Sequence, residues 1–268
     1  MNKKYAILIP TYNSSLSDIL KTFSTLPRDA NIFIIDDGSK ISFRDETGNE
    51  LNQYSNLVII RSEENVGIEN ALNIGLVQII KEYEYVARLD IGDISHIDRF
   101  ETQVKYLNEH PDVVIVGTWA EFITQDGKFL FINKTPVDYR NISNQMFINN
   151  AFVHPSVMMR CSALYKAGLY SQSFQACEDY DLFFRLLKYG KGHNIPKVLL
   201  KYEVNYSSIS SNKRRVQVYN RLKIIINNFE IYRRGIYPYY GILRASVFLL
   251  VGRKTTMFIR SLIRKQGK

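Results

Sequence analysis

Short hydrophobic runs alternate along the first part of the chain with segments whose apolar residues recur at helical spacing. Four of the runs, Lys4–Ile9, Asn31–Ile35, Leu57–Ile60 and Tyr85–Leu89, are short and nearly continuous, as buried strands are. A helical pattern precedes the second run, and another separates the third from the fourth. This alternation predicts an α/β fold with a mixed, mostly parallel sheet flanked by helices.

Polar turns follow three of these runs. They comprise Pro10, Thr11, Tyr12 and Asn13 after the first run, Asp36, Asp37 and Gly38 after the second, and Asp90–Asp93 after the fourth. Because ligands of open α/β sheets lie beyond the carboxyl ends of the strands, we expect these turns to converge on one site. Asp90 and Asp93 flank Gly92 closely enough to hold a divalent cation that serves a phosphate. The alternative is a polar turn in which Asp90 caps the next helix.

The second half of the domain carries fewer signals. The pattern predicts a helix over Asp98–Asn108, strands at Val113–Val116 and Glu121–Thr124, and a further strand over Phe152–Arg160 that contains a proline. His154 in that strand is either a structural residue or a contact to an anionic ligand. Trp119 is interpreted as a packing residue rather than a sugar platform.

Ala176–Tyr189 predicts an amphipathic helix with three acids, Glu178, Asp179 and Asp181, in its first turn. Acids at this position complement the helix dipole, which is the structural interpretation. The functional interpretation is that the helix start keeps a carboxylate ionised and ready to accept a proton. Asp179 is expected to face outward, because Asp181 adjoins the apolar stripe.

The 268 residues, 46% of them hydrophobic, suffice for one large domain or for a domain with an appendage. Two cysteines, Cys161 and Cys177, make no disulfide framework and suit a reducing compartment. The apolar run near the N-terminus is too short for a signal-peptide core or a membrane span. We therefore expect a cytoplasmic protein.

Charge divides the chain at about residue 212. Of 35 basic and 26 acidic residues, 14 basic residues and one acid lie in 213–268. This tail repeats apolar and aromatic residues at helical spacing among its bases, which predicts a basic amphipathic element at the inner face of the plasma membrane. The alternative is a helix packed on the body with solvated charges. We thus expect a domain at 1–212 and a basic helical tail at 213–268. No nucleic-acid-binding motif occurs, so no nucleic-acid partner is expected.

Together these stretches resemble the inverting family 2 glycosyltransferases, which have the GT-A (Rossmann-like) fold and use nucleotide-diphosphate sugars. The resemblance covers about residues 4–210. The matching pieces are Ile7–Asn13, Ile35–Ser39, Asn65–Gly75, Arg88–Ser95, Val153–Arg160 and Cys177–Leu186.

The resemblance implies roles for individual residues. It implies a donor site of Pro10, Thr11, Tyr12, Asn13, Asp37, Gly38, Arg88 and Asp90. Asp179 matches the catalytic base, and His154 and Glu178 become candidates on the acceptor side. Asp90 matches the first Asp of the family's D-x-D motif, but Gly92 stands where the second is expected. A divalent metal (Mn or Mg) is therefore expected on Asp90 and Asp93.

The implied reaction moves a sugar with inversion from a nucleotide-diphosphate donor to a hydroxyl of a glycan acceptor. UDP is the expected nucleotide, because Asp37 suits a uracil or thymine edge. The expected acceptor is polyprenyl-diphosphate-linked, in bacterial surface polysaccharide synthesis, with residues 213–268 on an anionic membrane surface. The alternatives are an inactive nucleotide-sugar-binding protein, suggested by Gly92, and a nucleic-acid-binding protein that uses the basic tail.

Overall fold

The structure is a computed structural model that describes residues 4–204, 214–229 and 235–250. One part of the sequence interpretation, the apolar and basic repeat around Phe258–Lys265, lies outside these ranges.

Nine strands and nine α-helices occur in the described part of the chain. The strands are β1 (Tyr5–Thr11), β2 (Asn31–Asp36), β3 (Leu57–Arg61), β4 (Tyr85–Arg88), β5 (Ile94–Ser95), β6 (Val113–Ile123), β7 (Phe129–Asn133), β8 (Met158–Arg160) and β9 (Lys191–Glu203). The helices are α1 (Leu16–Phe23), α2 (Phe43–Thr47), α3 (Ile68–Glu82), α4 (Arg99–Glu109), α5 (Tyr139–Met146), α6 (Cys161–Ala167), α7 (Glu178–Leu186), α8 (Arg214–Asn227) and α9 (Tyr237–Leu250).

One mixed sheet organises the molecule, in the order β3-β2-β1-β4-β8-β6-β9-β5, with β7 paired to β6. The first four strands are parallel, so the turns after β1, β2 and β4 leave the sheet at the same edge. Strand β8 then pairs antiparallel to both β4 and β6, while β6 and β9 run parallel. This arrangement confirms the α/β fold with a mixed, mostly parallel sheet.

Helices cover both faces of the sheet and divide the core into two layers. Helix α3 packs on one face with Leu72, Leu76 and Ile79, and α1 and α4 pack on the other. Contact with α3 is close at Gly75, where a Cβ atom would lie 2.4 Å from Leu8 Cδ1. The strands and helices predicted in the first hundred residues are present, because their apolar runs and faces pack into the core. Strand β3, at the sheet edge, is only partly buried rather than buried, and α2 and β5 were not predicted.

Three predicted elements differ from the structure. The two strands predicted around Trp119 form the single strand β6, which runs through Gly117. The strand predicted at Phe152–Arg160 begins with a 3₁₀ turn over His154–Ser156, because Pro155 cannot donate to a strand ladder. The indole nitrogen of Trp119, in β6, donates to the carbonyl of Thr135 at 3.0 Å.

Helix α9 has an unusual distribution of side chains. Its small residues Pro238, Gly241 and Ala245 face the body, and a Cβ atom at Gly241 would lie 2.0 Å from the carbonyl oxygen of Phe147. Several of its large apolar residues point outward, with Leu243 64% and Leu250 87% exposed, whereas Ile242 packs against the core. None of the helices in the described ranges has the length and hydropathy needed to cross a bilayer.

Candidate active site

The turn after β2 is held by two buried aspartates. Asp36 accepts from the backbone N–H groups of Ser39 and Phe43, both at 2.9 Å, and pairs with Arg61 at 2.7 Å. Burial alone would raise the pKa of Asp36, but these hydrogen bonds and the charge of Arg61 bring the pKa below its usual value. Asp36 is therefore a fixed anion that shapes the turn.

Asp37 connects this turn to the start of α3. Its carboxylate accepts from the N–H groups of Val66 at 2.7 Å and Gly67 at 3.2 Å, and the residue is only 5% exposed. Burial raises the pKa of Asp37 despite these donors. The next residue, Gly38, has φ +69°, and a Cβ atom there would lie 2.4 Å from the carbonyl carbon of Glu64. Only glycine lets these two loops approach so closely.

The turn after β1 lies beside that of β2. The N–H of Asn13 donates to Ser39 Oγ at 2.9 Å, and Asn13 Oδ1 accepts from the N–H of Lys40 at 2.8 Å. Pro10 and Thr11 are buried, whereas Tyr12 is half exposed. The aromatic ring of Tyr12 is thus accessible at the carboxyl edge of the sheet.

Arg88 and Asp90 form a charged pair where β4 ends. Arg88 is 1% exposed and directs its Nη2 at Asp90 Oδ1, 2.5 Å away, while its Nη1 donates to the carbonyl of Leu89. The Asp90 side chain stays 36% exposed. A buried guanidinium therefore fixes the orientation of a solvent-facing carboxylate.

Asp93 is directed away from the solvent, into the protein. It is 3% exposed, and its Oδ1 accepts from the N–H of Glu203 at 2.9 Å. Burial and the nearby charge of Asp90 raise its pKa well above the usual value. The bend that turns it inward is at Gly92, whose φ is +98°. Asp90 and Asp93, which the sequence places together, thus face different environments.

A cleft of about 320 Å³ joins this edge of the sheet to the start of α7. Asp90 lines one side of the cleft, and Glu178 and Asp179 line the other. Its walls also include aromatic and amide side chains, namely Phe122, Phe152, Tyr202, Asn133, Asn149, Asn150 and Gln217. Aromatic and amide side chains of this kind are suited to orienting a polar ligand.

The carboxylate of Asp179 has two donors. Asn150 Nδ2 donates to its Oδ2 at 2.7 Å, and the N–H of Tyr180 donates to its Oδ1 at 2.7 Å. Asn150 is itself oriented, because its Oδ1 accepts from the N–H of Phe152 at 3.1 Å. Burial nevertheless raises the pKa of Asp179, and the Tyr180 hydrogen bond and Arg221 oppose that rise.

Glu178 is less well satisfied than Asp179. Its Oε2 is buried without a hydrogen-bond partner among the described atoms. Burial and the neighbouring charge of Asp179 raise its pKa to about 7. Two adjacent carboxyl groups with raised pKa values are a frequent property of catalytic sites.

His154 lies on the wall of the same cleft. Its Nε2 is 2.7 Å from the hydroxyl of Tyr170, and its ring packs edge-on against Phe183. Burial, and then the charge of Arg88, hold the pKa of His154 well below its usual value. The imidazole is therefore neutral at physiological pH and is not a counter-charge for an anion.

Among the sequence-predicted site residues, the structure brings Asp90, His154, Glu178 and Asp179 into one cleft. Asp37, Gly38 and Pro10–Asn13 lie at the same edge of the sheet, where Thr11 pairs with Asp36 in the strand register. Asp37 and Asp93 do not line the cleft.

Comparison with protein families identifies the chain. The model of the family described as "Glycosyl transferase family 2" matches residues 6–168. The amylovoran biosynthesis glycosyltransferase AmsE of Erwinia amylovora is 34% identical over 190 residues, which are 68% of this chain and 69% of that protein. The chain belongs to glycosyltransferase family 2. A second relative of this glycosyltransferase is the UDP-Gal:alpha-D-GlcNAc-diphosphoundecaprenol beta-1,3-galactosyltransferase of Escherichia coli, 28% identical over 88% of this chain and 86% of that protein.

Solved structures share the fold of the glycosyltransferase at low sequence identity. Residues 1–349 of S. aureus TarS in complex with UDP-GlcNAc align with a TM-score of 0.67 at 16% identity, over 90% of this chain and 72% of that chain. The mannosyltransferase PcManGT of Pyrobaculum calidifontis, in complex with GDP-Man and Mn2+, aligns with a TM-score of 0.62 at 16% identity, over 93% and 70%. These similarities confirm the GT-A fold.

Several cleft residues of the glycosyltransferase were missed by the sequence analysis. Asn150 lies in a loop without periodic pattern, and no local signal marks it as a partner of Asp179. Tyr202 adjoins Asp90 and Asp179, and burial, and then the charges of those aspartates among others, raise its pKa. It lies near the end of β9, and no local sequence signal marks it as a cleft residue.

Proposed function

We propose that this glycosyltransferase transfers a sugar, with inversion, from a nucleoside-diphosphate donor to a hydroxyl of a glycan acceptor. The observation that carries the proposal is the cleft that has Asp90, held by the buried Arg88, on one side and Asp179 on the other. Such a cleft has room for an acceptor hydroxyl beside Asp179 and for a sugar diphosphate beside Asp90.

The reaction needs a base, because an alcohol is a poor nucleophile at neutral pH. In the proposed mechanism, Asp179 accepts the proton of the acceptor hydroxyl as the oxygen bonds to the anomeric carbon. The bond from that carbon to the diphosphate oxygen breaks, and the electron pair leaves with the nucleoside diphosphate. One displacement from the opposite face inverts the centre and gives a β-linked product from an α-linked donor.

A divalent cation fits the donor side in a limited way. In the described part of the chain, no three His, Cys, Asp or Glu side chains group as a metal site. Asp90 is the exposed carboxylate, whereas Asp93 is engaged with the backbone of Glu203. One carboxylate together with substrate phosphates is a common way to hold Mg²⁺. We therefore assign Asp90 alone as the protein ligand, and a bound ion would neutralise charge on the departing diphosphate.

The names of the relatives support a specific class of substrate. One relative is named for amylovoran biosynthesis, and another for transfer from UDP-Gal to a diphosphoundecaprenol-linked sugar. We extend both features to this chain as a UDP-sugar donor and a lipid-linked glycan acceptor in bacterial polysaccharide synthesis. In this proposal Tyr12 stacks on the base, and Asp37 lies at the nucleoside edge.

The test is a donor screen by thermal shift, with and without Mn²⁺, against UDP-glucose, UDP-galactose, UDP-N-acetylglucosamine and GDP-mannose. A UDP-sugar that stabilises the protein is then offered with a polyprenyl-diphosphate-linked sugar, and anomeric configuration is read by NMR. We expect transfer with inversion that is lost in Asp179→Asn while donor binding remains. Binding without turnover in the wild type would instead support an inactive nucleotide-sugar-binding protein.

We further propose that helix α9 meets an anionic membrane surface. Its outward residues Leu243 and Leu250 are 64% and 87% exposed, Ile236 just before the helix is 76% exposed, and the sequence beyond residue 250 adds bases and no acid. Co-sedimentation with vesicles of phosphatidylcholine, with and without phosphatidylglycerol, tests this surface. We expect binding only to the anionic vesicles, weakened by salt and by Leu243→Ser. Equal behaviour with both vesicle types would contradict it.

A further inference from the structure

Helix α8 lies in the basic tail by sequence, yet it packs against the segment that carries the proposed base. The three residues before Glu178 each form a hydrogen bond with α8. Asn220 Nδ2 donates to the carbonyl of Gln175 at 2.9 Å, and Gln217 Nε2 donates to the carbonyl of Ala176 at 3.2 Å. The thiol of Cys177 donates to the carbonyl of Gln217 at 3.3 Å. Gln217 also lines the cleft.

The clamped segment has a conformation that needs support. Ala176 has φ +61°, in the left-handed region that residues with a Cβ atom adopt rarely. This residue sets the direction in which the chain enters α7, whose first two residues are Glu178 and Asp179. Hydrogen bonds from α8 to the carbonyls of Gln175 and Ala176 thus fix where the carboxylates at the start of α7 point.

Helix α8 also contributes a charge. The guanidinium of Arg221 lies 5.5 Å from the ring centroid of Tyr180, the residue whose N–H donates to Asp179. Its Nε is buried and has no hydrogen-bond partner among the described atoms. Arg221 opposes the rise in the pKa of Asp179 that burial causes. The positive charge therefore acts on the carboxylate without pairing with it directly.

We propose that α8 is part of the catalytic centre, with Gln217 and Asn220 holding the Gln175–Cys177 segment and Arg221 keeping Asp179 anionic beside Glu178. This inference rests on the proposed function, since it assigns Arg221 as a positioning residue for that base. It places the boundary of the catalytic unit after α8 instead of at residue 212.

The charged and titratable groups around Asp179 come from four parts of the fold. They are Glu178, Cys177 and Tyr180 at the start of α7, Tyr170 after α6, Tyr202 on β9 and Arg221 on α8. Burial raises the pKa values of the thiol and the three phenols, so these groups are uncharged near neutral pH. Glu178 and Arg221 are the two members of this set whose charges act on Asp179 at neutral pH.

The first experiment compares pH profiles of kcat/KM for hydrolysis of the UDP-sugar that the screen selects. We expect Arg221→Met to move the acid limb to higher pH by about 0.5 to 1 unit, because an opposite charge is lost. Arg221→Lys is expected to restore most of the wild-type profile. The matched control is Lys223→Met, which removes a charge from the exposed side of α8 and is expected to change nothing.

The second experiment needs no turnover. The loss of melting temperature caused by Arg221→Met is measured in the wild type and in the Asp179→Asn background, as a double-mutant cycle. We expect a larger loss when Asp179 is present, since its charge is then left uncompensated. If Arg221→Met does not fold, Arg221→Gln replaces it in both experiments.

The outcomes separate the two proposals. If hydrolysis does not depend on Asp179 at all, the proposed function is wrong. If hydrolysis depends on Asp179, but the Arg221 variants keep the wild-type acid limb and lose equal stability in both backgrounds, the proposed function stands and the proposed role of α8 is wrong.

Discussion

The acidic residues at the strand ends and those at the start of α7 form two clusters that differ in how their charges are compensated. At the strand ends, Asp36 pairs with Arg61 and Asp90 pairs with Arg88, whereas the buried Asp93 has a donor for its Oδ1 alone. At the start of α7, Glu178 and Asp179 are buried side by side, and Glu178 leaves one oxygen without a partner among the described atoms. The first cluster therefore suits a fixed binding frame, and the second suits the exchange of a proton.

The largest expected effect is at Asp179. Asp179→Asn keeps the size of the side chain and its contact with Asn150 but removes the base, so we expect transfer to fall about 10³-fold or more. Initial rates and donor affinity are measured together, and the affinity is expected to remain. The control is Asp112→Asn at an exposed ion pair with Lys191. A parallel loss of donor affinity would place Asp179 in the binding cluster instead.

The next effect is at Asp90. Asp90→Asn removes the exposed charge and leaves Arg88 unpaired at that oxygen, so we expect about a 10²-fold loss of transfer together with weaker Mn²⁺ dependence. Rates are titrated against Mn²⁺ in wild type and variant. Asp126→Asn, in the exposed turn between β6 and β7, is the control. An unchanged metal titration would remove Asp90 from the metal assignment.

Asp36 tests the structural side of the comparison. Asp36→Asn weakens two backbone hydrogen bonds and an ion pair at a residue that is fully buried, and we expect a loss of about 2 to 3 kcal/mol in the free energy of unfolding. Urea denaturation measures this loss, and residual activity per folded molecule is expected to stay high. A normal stability with abolished turnover would show that Asp36 serves chemistry.

The smallest expected effect is at Glu178, where the substitution is expected to stabilise the protein instead of weakening it. Its pKa is raised to about 7, so wild-type stability falls as the pH rises from the pKa of the unfolded chain through that value. Glu178→Gln has no such loss and is expected to be more stable than the wild type above pH 7 and equally stable in acid. Melting curves across pH measure the difference. A gain that is independent of pH would exclude charge as its cause.

The fold was predictable where apolar periodicity and strand-end turns agree. Strands β1, β2 and β4 each bury one continuous run, and the family resemblance added the order of the remaining motifs. The sequence did not reveal that Asp93 turns inward, because that depends on the positive φ of Gly92 and on a contact with Glu203, 110 residues away.

The same limit applies to the second half of the cleft. Asn150, Tyr202 and Gln217 lie on a loop, a strand end and a tail helix, and long-range packing alone brings them to Asp179. Charge counting assigned α8 to a basic appendage. Its inward face instead combines Gln217 and Asn220 with the buried Ile224 and Ile225, and it bonds to three consecutive residues of the body.

The distribution of side chains on helix α9 determines which substitutions the protein tolerates there. Because Pro238, Gly241 and Ala245 form its inward side, the bulky outward residues fill no internal space. Altering their size or polarity opens no void and creates no clash within the fold. The exterior character of this helix is therefore adjustable independently of the architecture beneath it.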